Sequence, residues 1–78
     1  MVEYKGFRIP EMKDIKSLSL VRMTMMMPNI KILKIDTQEY YDTDTLFEDV
    51  SVLPEFQADQ VIKASAIRFI DNLNLNKS

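Results

Sequence analysis

Cysteine and histidine are both absent from the 78 residues, and glycine occurs once, as Gly6. Without cysteine there is no disulfide, and without either residue the common zinc frameworks are excluded. Histidine is the usual agent of proton transfer at neutral pH, so general acid–base catalysis loses its commonest side chain. One glycine cannot build a phosphate-cradling loop or a dinucleotide-binding turn. No serine is visibly paired with a base for nucleophilic attack. Carboxylate pairs of glycosidase type would need a cleft that so short a chain rarely encloses. The expectation is a protein that is not an enzyme and that carries no cofactor and no metal.

Long apolar runs are missing too. None approaches the ~18–20 residues that a membrane span requires, and "MVEYKGFRIP" lacks the apolar stretch of a signal peptide. No membrane partner is expected, and the expected compartment is the cytoplasm. Abundant Lys, Ile, Asn and Asp beside a single Gly fit an AT-rich coding sequence, as in a phage or an AT-rich bacterium. For a phage protein the compartment becomes the host cytoplasm.

Two apparent metal motifs fail on inspection. A calcium loop of EF-hand type begun at Asp42 has Asp44 at its third position. It then places Leu46 at the fifth, Phe47 at the sixth and Leu53 at the twelfth, where oxygen ligands and a glycine are required. Met23, Met25, Met26 and Met27 could offer thioethers to Cu(I). Methionine more commonly serves as a flexible filler of cores and adaptable interfaces.

What the chain does contain is 46% apolar residues, a globular composition. One small domain, 1–78, is expected. Chains of this size add little net stability from the core alone, ~3–5 kcal/mol. With disulfides and zinc excluded, a second subunit is the expected supplement, and hence a homodimer.

Residues 2–9 alternate around Lys5-Gly6 and suggest a short hairpin or bent edge strand. Pro10-Glu11 is a plausible helix start, giving a first helix over about 10–27 that Pro28 ends. A strand over 17–27 is the competing reading. "NIKILKID" is rich in β-branched residues and alternates, predicting a strand from about Ile30 to Asp36. Beyond that strand, "TQEYYDT" suits a second, paired one. "DTLFEDV" suits a helical turn capped by Thr43 or Asp44.

Pro54 introduces a final helix of about 55–73. Ala58, Val61, Ile62, Ser65, Ala66, Phe69 and Leu73 form its apolar stripe at helical spacing. Phe56, Ile67 and Ile70 project from that stripe and are the candidate dimer interface. The expected fold is therefore α+β, with two helices on a small antiparallel sheet.

Charge is segregated along the chain. Residues 1–35 hold seven bases and three acids, residues 36–59 eight acids and no base, and residues 60–78 three bases and one acid. The segment Asp36–Val50, "DTQEYYDTDTLFEDV", carries six carboxylates and two adjacent tyrosines. Such a run is often only a solvated loop. Aromatic groups ringed by charge, however, resemble a protein interface.

Asp36, Glu39, Tyr40, Tyr41, Asp42, Asp44, Phe47, Glu48 and Asp49 are accordingly the candidate partner-binding residues, and the partner they suggest is a basic protein. Strand residues advance ~3.3 Å and phosphates recur every ~3.4 Å along a DNA strand, so an inhibitor or adaptor that mimics DNA is a permitted variant. One alternative is a structural or assembly factor acting through Met-rich helix faces. The other is a nucleic-acid-binding regulator using Lys5, Arg8, Lys13, Lys16, Arg22, Lys31 and Lys34. The neighbouring acids make direct nucleic-acid binding the less expected of these.

Overall fold

The computed structural model of the chain describes residues 2–15 and 29–76. Strand β1 (Val2–Tyr4) turns into β2 (Phe7–Ile9), followed by the short helix α1 (Met12–Ile15). Then come β3 (Asn29–Lys34), β4 (Glu39–Leu46), a one-turn helix α2 (Phe47–Ser51) and the long helix α3 (Glu55–Asn76). The strands form one antiparallel sheet in the order β1-β2-β3-β4. The fold is α+β, with one helix more than the two expected from sequence. Of the first helix expected over 10–27, Met12–Ile15 is helical, and residues 16–27 lie outside the described residues.

Each turn has a local cause. Lys5 and Gly6 both adopt positive φ, 49° and 83°, the geometry of a two-residue hairpin that matches strand twist. Gly6 enters that region without a Cβ penalty. Gln38 also has a positive φ, 59°. Its backbone N–H donates to the Lys34 carbonyl at 2.8 Å, and its side-chain Nε2 donates to the Ile35 carbonyl at 2.8 Å. Two hydrogen bonds thus close the β3–β4 turn without a glycine.

The core lies between one face of the sheet and α3. Phe7, Ile9, Ile30 and Ile32 line the sheet side, and Met12 and Ile15 of α1 close one end. From α3 come Ala58, Ile62, Ala66 and Ile70, with Val50 of α2 between the layers. The small residues Ala58, Ser65 and Ala66 are buried at the helix surface that meets the strands.

The buried stripe of α3 differs from the expected one at two places. Ile70 is fully buried, whereas Val61 is 42% exposed. The buried side is thus turned toward Ile70, with Phe69 half-buried against Tyr41 of β4.

Two side-chain contacts join elements that backbone ladders cannot. Asp59 of α3 accepts a hydrogen bond from the Met12 N–H at 2.7 Å. It thereby caps the start of α1, where backbone donors lack intrahelical partners. Asp14 accepts from the Glu11 N–H at 3.1 Å, the reach-back half of a capping box.

In β4, Thr43 is buried and its Oγ1 donates to the Ile30 carbonyl at 2.7 Å. The same oxygen accepts from the Thr45 N–H at 3.3 Å, while Asn29 Nδ2 donates to the Thr43 carbonyl at 2.9 Å. These bonds fill the β3–β4 ladder where its register shifts between Asn29 and Lys31. Thr43 is therefore part of a strand bulge and not the cap of a following helix. The residue before α2 is Leu46, which makes no side-chain capping bond.

Thr43→Val conserves shape but leaves the buried Ile30 carbonyl short of a donor. Urea denaturation should show a loss of about 1–3 kcal/mol, with Thr43→Ser losing less.

Candidate functional site

Strand period two decides what the acidic segment presents. Along β4, Tyr41 and Thr43 turn toward the core, and Tyr40, Asp42 and Asp44 are exposed. Tyr41 packs edge-on against Phe7, with ring centroids 5.6 Å apart at 79°, and against Phe69 at 6.3 Å and 64°. Edge-to-face pairs of this kind contribute about 0.5–1.5 kcal/mol beyond area burial. Tyr41 is thereby a structural residue. Tyr40, its neighbour, is 58% exposed and is the aromatic group the segment offers to solvent.

Phe47, at the start of α2, packs against the core cluster and is half-buried. Glu48 and Asp49 come next in the first turn of α2 and are exposed. Carboxylates there complement the helix dipole, which gives these two acids a local structural role as well. Asp36 in the β3–β4 turn and Glu39 at the start of β4 are exposed. The sequence candidates thus divide. Asp36, Glu39, Tyr40, Asp42, Asp44, Glu48 and Asp49 reach solvent, whereas Tyr41 and Phe47 turn inward.

One carboxylate of the six is neutralised by its own chain. Lys31 of β3 sits directly across from Asp42, and its Nζ is hydrogen-bonded to Asp42 Oδ1. Among the described residues, Asp36, Glu39, Asp44, Glu48 and Asp49 have no such ion pair. The remaining negative charge flanks Tyr40 and continues past the end of β4.

The basic residues behave differently. Lys5 reaches Asp71 at 3.0 Å, Arg8 reaches Glu3 at 3.8 Å, and Lys13 reaches Glu11 at 3.8 Å. With Lys31 committed to Asp42, these four cations are matched within the chain, whereas Lys34, opposite Glu39, has no ion pair among the described residues. Lys16 and Arg22 lie outside the described residues. A continuous basic face is not assembled among the described residues.

The candidate dimer residues also divide. Ile70 is an intramolecular core residue, so it is not available to a second subunit, and Ile67 packs against the same core. Phe56 stands apart at 76% exposed. Among the described residues no group of three or more carboxylates could hold a metal ion, and no helix is long and apolar enough to cross a membrane.

Asp71 marks a second, unforeseen constellation. Its Oδ1 accepts from the Tyr4 hydroxyl and from Lys5 Nζ, both at 3.0 Å. The hydrogen bond from Lys5 holds the Asp71 carboxyl below its ordinary value, with Tyr4 adding to the effect. The hydrogen bond to Asp71 raises the Lys5 ammonium above its own ordinary value. No sequence signal joins residues sixty-six and sixty-seven positions apart, so only the folded chain reveals it. The cluster ties the first hairpin to the last turns of α3.

No family model matches the chain, and no curated protein or solved structure matches it.

Since Asp71 is depressed when folded, its contribution to stability is present above the ordinary carboxylate value of 3.8 and fades as pH falls through the folded one. The Lys5 contribution is present below 10.5 and fades as pH rises through the raised value. Asp71→Asn should therefore lower Tm slightly at neutral pH, and the difference from the parent should vanish in strong acid. Thermal melts over a pH series measure this.

Proposed function

We propose that the protein is a non-catalytic binding protein, an inhibitor or adaptor that captures a basic partner protein with the exposed face and end of β4. One observation carries the reading: five acids of this region, Asp36, Glu39, Asp44, Glu48 and Asp49, have no ion pair among the described residues and lie along the strand and helix that carry exposed Tyr40, Asp42 alone being held by Lys31. Unbalanced charge of one sign raises association rate and selects the partner's sign. Tyr40 supplies amphipathic area that a charged rim alone lacks. The partner's surface can be one that otherwise holds nucleic acid, in which case the strand acts as a DNA mimic. The described residues offer no equivalent basic face for direct nucleic-acid binding.

The test neutralises the free acids and spares Asp42, whose loss would also unpair Lys31. The variant Asp36→Asn, Glu39→Gln, Asp44→Asn, Glu48→Gln, Asp49→Asn should bind a basic partner, first isolated by affinity capture from cells, about tenfold or more weakly at low salt. The two proteins should converge as salt shortens the Debye length below ~10 Å. Equal affinity of parent and variant at every salt concentration removes the reading.

A second reading, self-association, draws on two exposed apolar side chains. Phe56 and Val52 are 76% and 81% exposed. Phe56 borders a depression of about 250 Å³ whose lining mixes apolar Val2, Ile9 and Pro10 with polar Glu11, Asp59, Gln60 and Lys63. A homodimer or an assembly role would use Phe56 and Val52. On that reading Phe56→Glu shifts the sedimentation profile from dimer to monomer. A parent protein that sediments as a monomer across the accessible concentration range removes it.

A further inference from the structure

We infer that β4 binds its basic partner by strand addition, taking an extended segment with lysine or arginine at every second position onto its unpaired edge. This inference rests on the function proposed above and specifies its geometry. Among the described residues the sheet order leaves β4, eight residues long, as an edge strand with β3 on one side only. An edge strand presents a row of backbone donors and acceptors ready to pair, and pairing an extended peptide there is an established physical mode of recognition.

The direction of those backbone groups can be traced from the register. The Ile35 N–H donates to the Gly6 carbonyl, so Ile35 and, two residues back, Leu33 and Lys31 direct their backbone toward β2. The even-numbered residues Lys34 and Ile32 direct theirs toward β4, consistent with the Gln38 N–H meeting the Lys34 carbonyl. Their partners are Glu39 and Tyr41, which therefore use their backbone on β3. Tyr40 and Asp42, opposite Leu33 and Lys31, occupy the intervening positions. Antiparallel pairs alternate in this way, so Tyr40 and Asp42 aim their N–H and C=O at the free edge. Within the bulge the Thr43 carbonyl is turned to Asn29, which leaves the N–H of Asp44, on the other side of the same peptide plane, directed to the free edge.

The residues that offer backbone bonds at the edge are thus also those whose side chains, Tyr40, Asp42 and Asp44, stand on the solvent face. An added strand would place its hydrogen-bonded residues opposite them, with side chains on the same face. Opposite charges directly across a sheet are favourable and like charges unfavourable. A cation opposite Asp44 or over the Tyr40 ring is therefore matched. A second copy of β4 is not: it would bring another set of unpaired carboxylates, Glu39 and Asp44, to an edge that already carries them and would supply no cation. Charge complementarity thus selects a basic segment over self-pairing. The partner's intervening residues would fall on the core side, next to the half-buried Tyr41 and Thr45, and are expected to be uncharged.

The probe is an acetylated peptide as long as β4 that alternates lysine and valine, with two isomers. One is N-methylated at the lysine amides, which should face β4, and the other at the valine amides, which should face away. All three carry the same charge. At low salt the parent and the valine-methylated peptide should bind alike. The lysine-methylated peptide should bind at least about tenfold more weakly, through loss of two or three backbone hydrogen bonds. Saturation with the parent peptide should slow hydrogen exchange at the Tyr40, Asp42 and Asp44 amides.

Equal binding by both methylated isomers, still weakened by the five-amide variant, overturns strand addition and leaves the charge-driven function standing. Failure of the parent peptide to bind at low salt, while a lysine–valine peptide of scrambled order does bind, has the same meaning. Failure of every peptide to bind at low salt overturns both.

Discussion

Tyr41 is held between the rings of Phe7 and Phe69, and the arrangement of the rest of β4 depends on that confinement. A strand exposes alternate residues to opposite sides, so moving its register by one residue reverses every side chain. With Tyr41 fixed inside, Tyr40 and Asp42 must stand outside. Thr43, again inside, meets the carbonyl of Ile30, and this second contact holds the same phase through the bulge. The exposed anionic surface is thus a by-product of how an aromatic ring and a hydroxyl are buried two residues apart.

Period and punctuation made much of this fold legible. Alternation identified β3, the isolated Gly6 identified the first hairpin, and Pro54 with its following apolar stripe identified α3. The error at Val61 and Ile70 has a physical origin. Helical spacing defines a stripe only to within about one residue, and the sheet opposite decides which edge of it is covered. Sequence pattern likewise could not tell Tyr40 from Tyr41, because adjacent residues of a strand have opposite fates and the phase is set by Phe7 and Phe69, far away in the chain.

Three other features lay beyond local reasoning for a shared cause. Thr43 looked like a helix cap because cap preferences are local, but its hydroxyl is used across the sheet. Asp42 looked uncompensated because Lys31 is eleven residues distant, although antiparallel pairing places the two opposite each other. Asp59, which no local pattern singles out, receives a backbone N–H of α1. Each acid or hydroxyl acquires its role from a partner supplied by topology. The charge segregation read along the chain survives folding in altered form, as a set of matched pairs beside an unmatched strip.

The bond between the Tyr4 hydroxyl and Asp71 spans almost the whole chain. Forming β1 and β2 requires closing a loop of two residues, whereas seating that hairpin against α3 requires closing nearly the longest loop available, at greater entropic expense. The hairpin can therefore form early and dock late, after α3 has reached the sheet. Shortening the protein from its carboxyl side to a point before Asp71 would remove this tie and leave the hairpin held by its β2–β3 pairing and by Phe7 and Ile9 in the core, with β1 the strand that loses most. A protease should then cut first within residues 2–6.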